Sequence, residues 1–430
     1  MTGGIELRPP GRTLTAAMVL SIMLVAWLFT PTWWGQIGVD SKDFYAAARV
    51  SGQGRDPYDA RVLYAEENRL YNQPNRPPDY APNTYPYPPL VTLALRAGTA
   101  VPELEFYLVS AALLLASALA GLELLTRSLA IGPRPLAWLL LLASPVLGLS
   151  IFIGNPSNLL LLGLALAVAL MLRRRWLLGG VAASVTLLKF QVGLPLIVAL
   201  FATVPPGPAE TWRVTRVRAA VGLVVATLGW AALQLLAGGP KGVGEWLAGL
   251  SSYGGGLGAA GGRTEFSQAG LAGLPALFLG RWSLPVAVVA GGLPVAVVVT
   301  WALWPQLRRQ RIDLPPALLI SLGLAAALAA CPYLHLYDLG LEILPVLVLA
   351  ASASVVARVA MVAWFAVVPI NLIGQVLLSL AVGYRPNQQA SAGVGIVLTL
   401  VVLLAIAWEC RRSALAPPAR ANRGAFERRQ

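Results

Sequence analysis

A chain of 430 residues that is 57% hydrophobic and only 12% charged carries roughly half the charge of an ordinary soluble domain, so its apolar runs belong in a bilayer. The formal charge of +13 does not mark a nucleic-acid partner, because the basic residues come in short clusters between apolar segments rather than in a stripe interleaved with aromatics. Two cysteines and one histidine exclude a disulfide framework and leave too few ligands for a metal centre; no cofactor is expected.

In chain order, Arg8 and Arg12 precede an apolar run from Leu14 to about Phe29 that ends in Trp33 and Trp34 with no small-residue cleavage site. It reads as an uncleaved anchor helix with an interfacial tryptophan belt. Further apolar segments are expected at 105–125, 135–153, 157–172, 177–188, 190–204, 219–237, 285–304, 314–332, 338–352, 359–382 and 393–409. The fold class is therefore an all-α polytopic membrane protein of about a dozen spanning or partly spanning helices. Alternation from an inside start sends Arg127, Arg134, Arg173–Arg175, Arg213, Arg216, Arg218, Arg308, Arg309, Arg311, Arg358, Arg411 and Arg412 to one side. By the positive-inside rule that side is cytoplasmic, with both termini there. One transmembrane domain is expected over 1–410, with outer loops at 35–88 and 238–284 and a basic tail at 411–430. The tail is Pro/Ala-rich and reads as disordered. Opposite faces hold Cys331 and Cys410, which therefore cannot pair.

The first outer loop is the most polar part of the chain. Interfacial helices are expected over about Ser41 to Val50 and about Ala60 to Tyr71, the second capped by Asp59, with their aromatics and alanines lying on the bilayer. Asp40 and Asp43 have the spacing of a capping box; the alternative is a carboxylate fixed at the membrane surface as a general base. The Gly254-Gly255-Gly256 run lacks a P-loop ending and reads as flexible outer loop.

Three apolar stretches have arginines at both ends, so each should go out and come back. The reversals fall at Gly154-Asn155-Pro156-Ser157-Asn158, at Leu188-Lys189-Phe190-Gln191 and between Cys331 and Asp338. Helices of about 12 residues on either side of Lys189 reach only ~18 Å of a ~30 Å core. Lys189 should then be buried in protein or a wet cavity, either snorkelling to the interface or serving as a cation for phosphate. His335 and Asp338 stand at helical spacing, as a structural pair or as ligand contacts. Asn155 and Asn158 either cap helix ends or touch substrate.

The order of these elements resembles glycosyltransferase family 87, the polyprenyl-phosphate-mannose-dependent α-(1→2) mannosyltransferases of the C-type membrane class. The likeness lies in Asp40, Phe44, Ala47-Ala48-Arg49, Gly54-Arg55-Asp56-Pro57-Tyr58, Tyr87-Pro88-Pro89, the Gly154–Asn158 turn, Leu188-Lys189-Phe190-Gln191 and Pro332-Tyr333-Leu334-His335-Leu336-Tyr337-Asp338. Asn155 replaces a family glutamine, and the proline that often follows the lysine is displaced to Pro195. The resemblance implies a lipid-linked donor, a polyprenyl-phosphate sugar, and a lipid or glycan acceptor on the outer face of the cell membrane. Asp40, with Asp43 as alternative, would be the general base of an inverting displacement. Lys189, Arg49 and His335 would bind the donor phosphate, and Tyr58, Tyr87, Asn155, Asn158, Tyr337 and Asp338 would contact substrate. A non-enzymatic lipid transporter or flippase, or a structural partner in envelope assembly, is the competing expectation.

Overall fold

The computed structural model describes residues 5–30, 37–71, 85–207, 210–259, 270–275, 284–308, 314–332, 334–382 and 388–415. Trp33, Trp34, Arg309, Arg311, Tyr333 and the tail from 416 lie outside them. The described residues form helices α1 (Arg12–Leu28), α2 (Val39–Gly52), α3 (Ala60–Tyr71), α4 (Pro89–Leu95), α5 (Glu103–Ser128), α6 (Arg134–Leu142), α7 (Pro145–Ile153) and α8 (Ser157–Leu172). They continue with α9 (Trp176–Ala183), α10 (Phe190–Thr203), α11 (Trp212–Ala259), α12 (Leu284–Arg308), α13 (Pro316–Ala330), α14 (Ile343–Ala351), α15 (Val355–Val382) and α16 (Gln388–Leu415). The only strands among the described residues, Ile5–Glu6 and Ile131–Gly132, pair in parallel. The protein is an all-α, multi-pass membrane protein.

Among the described residues six segments, 176–203 included, are by length and composition apolar enough to cross a membrane, and the pair α6–α7, bent by 55°, makes a seventh. The other expected segments are short. Helices α1, α8 and α13 fall below full span length, and α14 is shorter still. Pro145 ends the first half of the bent pair, and Ser21 donates a hydrogen bond to the Ala143 carbonyl at the break, at 2.5 Å. Broken helices are tolerated in a bilayer where protein satisfies the freed backbone in this way.

The expected reversal at Lys189 is present. Residues 176–203 form one apolar run of 28 residues, α9, a 3-10 segment Ser184–Lys189 and α10. A straight helix of that length would hold its ends ~42 Å apart. Instead, Arg174 donates to the Pro205 carbonyl at 3.2 Å and the Trp176 indole to Glu210 at 3.1 Å. The chain turns back at the 3-10 segment, so tightly that a Cβ on Gly193 would lie 2.1 Å from the Thr186 carbonyl oxygen.

Contacts at the helix ends sort into two faces. On one, Arg8 N–H donates to Ala350 O, Arg411 to Trp301 O and Arg412 to Ser352 Oγ, and the strand pair joins the N-terminal segment to the turn after α5. This is the arginine-rich face. On the other, Gly38 N–H donates to Phe152 O, Tyr107 to Ile151 O and Cys331 Sγ to Gln191 O. Neither Cys331 nor Cys410 is in a disulfide.

Two expectations about the loops are corrected. The aromatics and alanines of α2 do not face outward: Phe44, Tyr45, Ala46, Ala47, Ala48 and Val50 are buried in protein, the first four in a cluster with Tyr58, Tyr85 and Phe106. Its alanines permit that close packing. Nor are Gly254–Gly256 a loop. They belong to the continuation of α11 beyond a kink at Gly239 and Pro240, a segment whose Trp246 donates to the Pro86 carbonyl at 3.1 Å. Arg411 and Arg412, expected at the start of a tail, lie within α16.

Candidate active site

Helix α2 begins two residues earlier than a cap at Asp40 requires. Its N-cap is Gly38, in the left-handed region at φ 68, with no side-chain cap. A Cβ there would be 2.7 Å from the Tyr107 ring, and a Cβ on Gly154, at φ 81, would be 2.1 Å from Ser41 Oγ. These two glycines let the start of α2 press directly on the tip between α7 and α8. The capping-box reading of Asp40 and Asp43 is thereby replaced. Asp40 stands in the first turn, and its carboxylate turns to the tip, where Asn155 Nδ2 donates to Oδ2 at 2.6 Å. Asp43 lies one turn on, close enough to Tyr85 for its charge to raise the pKa of that phenol further above the value burial gives it.

The bond to Asp40 opens a continuous polar network. Asn155 Oδ1 accepts the Ser157 backbone N–H at 3.1 Å and also contacts Ser157 Oγ. Ser157 Oγ donates to Asp338 Oδ1, which also accepts from Lys189 Nζ at 2.5 Å. Asp338 Oδ2 accepts the His335 backbone N–H at 3.0 Å. Lys189 Nζ lies 4.8 Å from the centre of the Tyr337 ring, and that ring stacks on the His335 imidazole at 5.1 Å. All three expected reversals thus meet at one point. Each is a helix break whose backbone and side-chain polar groups must be satisfied by protein, and together they satisfy one another.

The network is buried: Asn155 and Ser157 are 1–2% exposed, Lys189 6% and Asp338 0%, and Asn158 beside them on the turn is 2% exposed. Asn158 Nδ2 has no hydrogen-bond partner among the described residues. Burial raises the Asp40 pKa; the Asn155 hydrogen bond and the Lys189 charge oppose the rise, and the Asp338 charge adds to it. Among the described residues no group of three or more His, Cys, Asp and Glu is gathered to hold a metal.

The expected site residues divide into two groups. Asp40, Asn155, Lys189, His335, Tyr337 and Asp338 are brought together, though with altered parts. Lys189 is not a free cation but the partner of Asp338. The His335–Asp338 pair is a reciprocal cap, with Asp338 Oδ2 accepting the His335 backbone N–H and the His335 side chain facing the Asp338 backbone N–H, and the imidazole also stacks on Tyr337. Arg49, expected at the donor phosphate, is held elsewhere by Glu66 at 3.2 Å; it stands nine residues from Asp40, about half a turn around the helix. Tyr58 and Tyr87 belong to the aromatic cluster that anchors the outer loop, where the Tyr58 hydroxyl donates to the Tyr87 carbonyl at 3.0 Å. Asp59 does cap α3, accepting from Arg61 and Val62 N–H at 2.8 and 3.4 Å.

Sequence reasoning gave no role to Ser157 or Glu66. Ser157 sat inside a recognised turn, and only its contact with a residue 181 positions away distinguishes it. Glu66 is buried at 3% between Arg49 and Arg69, whose hydrogen bonds and charges, Arg69 first, hold its carboxyl below the usual range.

The family model of glycosyltransferase family 87 matches residues 85–332, more than half of the chain. The matched region contains the Gly154–Asn158 turn and Lys189; Asp40 precedes it and His335–Asp338 follow it. No curated protein matches the chain. The chain belongs to glycosyltransferase family 87 and is a multi-pass membrane glycosyltransferase.

Proposed function

We propose that the protein moves a sugar, mannose by analogy with the family it resembles, from a polyprenyl-phosphate donor to a hydroxyl of a lipid or glycan acceptor. The reaction takes place at the outer face of the cytoplasmic membrane, opposite the arginine-rich face, and inverts the anomeric centre. The observation that carries this reading is the placing of one carboxylate, Asp40, at the end of a buried network whose other end is a lysine.

Asp40 takes the proton of the acceptor hydroxyl as its oxygen attacks the anomeric carbon and the bond to the phosphate oxygen breaks. A phosphate leaving group needs no acid, so one carboxylate suffices where glycosidases need two. Lys189 spends one N–H on Asp338 and has two more to donate to the departing phosphate, where charge grows in the transition state. The His335 ring, stacked beside it on Tyr337, supplies a further donor. A lipid donor suits a site at the end of transmembrane helices, because its chain stays in the bilayer while its headgroup reaches the network.

The test is transfer of label from polyprenyl-phosphate mannose by the purified protein. A general base contributes about 10²–10⁴-fold, so Asp40→Asn should lose turnover by that factor while still binding donor. Wild-type transfer by Asp40→Asn rejects the assignment. A transporter would show no transfer in either form. Labelling of a cysteine at position 40 by a membrane-impermeant reagent in intact cells tests the orientation.

A further inference from the structure

The bond between Asn155 and Asp40 joins segments 115 residues apart, and the bond between Ser157 and Asp338 joins segments 181 apart. We infer that Asn155 and Ser157 are positioning residues, which hold the base on the outer-loop helix and the Lys189–Asp338 pair of the hairpin tips as a single unit. The inference rests on the reading of Asp40 as the base.

Proton counting fixes the orientation of the Asn155 amide. A backbone N–H can only donate, so the Ser157 N–H requires the Asn155 oxygen to face it. The Asn155 NH2 must then face Asp40, and the amide cannot flip without losing both bonds. This occupies Asp40 Oδ2, while no hydrogen bond to a described residue occupies Oδ1. One carboxylate oxygen is held and the other is presented to the acceptor hydroxyl. The Ser157 hydroxyl carries one proton and faces two acceptors, Asn155 Oδ1 and Asp338 Oδ1; the carboxylate, which is the stronger acceptor, receives it. Ser157 therefore touches the amide that orients the base with its N–H, and the carboxylate that holds the phosphate-binding lysine with its hydroxyl. Both residues are 1–2% exposed, and in such surroundings hydrogen bonds are stronger and misplacement is costly.

The experiment compares wild type with Asn155→Leu, Asn155→Asp and Ser157→Ala, reading kcat, donor KM and the pH–rate profile with a polyprenyl-phosphate sugar. Asn155→Leu keeps the volume without the bond; Asn155→Asp keeps the shape but can only accept. Displacement of about 1 Å can cost 10²-fold, so both should lose kcat by roughly ten- to a hundredfold with donor KM little changed. The bond stabilises charged Asp40, and the charges acting on it from the elements packed against it are Lys189 and Asp338. Losing the bond in Asn155→Leu should therefore move half-maximal activity to higher pH. Ser157→Ala, which removes only a hydroxyl, should show a smaller fall of the same kind and supplies the measurement if the Asn155 variants do not fold. Wild-type kcat in the folded variants overturns the proposal. So does a fall in kcat with an unmoved pH profile, which would make the residues merely structural. Asp40→Asn, run in parallel, separates the two ideas: its activity at the wild-type level sinks the base assignment, whereas its inactivity beside unaffected Asn155 variants sinks only the positioning role.

Discussion

At the arginine-rich face, Glu123 carries Arg127 and Arg134, Glu210 carries Arg174 and Glu409 carries Arg412, and the arginines of these pairs are between 43% and 59% exposed. At the opposite face Lys189 and Asp338 pair at 6% and 0% exposure, tied by Ser157 and Asn155 to Asp40. Both ends bring opposite charges within 4 Å, yet the physics differs. Water screens the first set, so each pair gains ~0–1 kcal/mol. The second set has left water, and each member depends on its partner for the hydrogen bonds that solvent would supply. The arginine-rich face thus gathers charges that water screens, while the buried network fixes polar groups against one another.

The sharpest way to break this contrast is at the base. Asp40→Asn should lower transfer by about 10²–10⁴-fold without altering the unfolding temperature, as read by label transfer and thermal unfolding in detergent. Next comes Asp338→Ala, which leaves the Lys189 ammonium buried without its partner. Breaking a buried pair from one side costs about 3–5 kcal/mol, so this variant should unfold at markedly lower temperature and lose donor affinity.

The pH dependence sharpens the comparison further. Burial raises the Asp40 pKa, and the base works only when deprotonated. Activity should therefore fall as pH drops through a value above the ordinary carboxylate range, and a profile flat down to that range would count against burial of the base. The outer loop supplies an intermediate case. Glu66 holds two arginines from a buried position, so Glu66→Ala should loosen α2 against α3 and raise protease sensitivity there, with a smaller loss of activity than at Asp40. The smallest effect is expected at Glu123→Ala, which should change stability by no more than ~1 kcal/mol; a shift matching that of Asp338→Ala would erase the distinction between the faces.

Much of the frame was legible along the chain. Apolar runs of span length identify a membrane protein, and the arginines flanking them on both sides mark the three stretches that turn back. Even the shortness of the segments around Lys189 was enough to expect a reversal there. The helix boundaries of the outer loop were partly legible. Asp59 could be recognised as a cap because a cap is local, four residues of backbone and one side chain. Asp40 misled for a related reason: its spacing to Asp43 fits a capping box, but Gly38 starts the helix earlier and frees the carboxylate for a partner far away in sequence.

What the sequence determined by itself is what depends on solvent and on near neighbours. Apolar residues must meet lipid, charges must remain where water is, and a break in a buried helix must mark a turn. What only the tertiary structure decided is partnership: that Lys189 faces Asp338, that Arg49 belongs to Glu66, that Tyr58 and Tyr87 anchor a loop, and that Ser157 links two halves of one site. Those pairings join residues up to 181 positions apart, and no local pattern encodes them. They arise because three unsatisfied helix breaks, each too polar for lipid, can be buried only against one another.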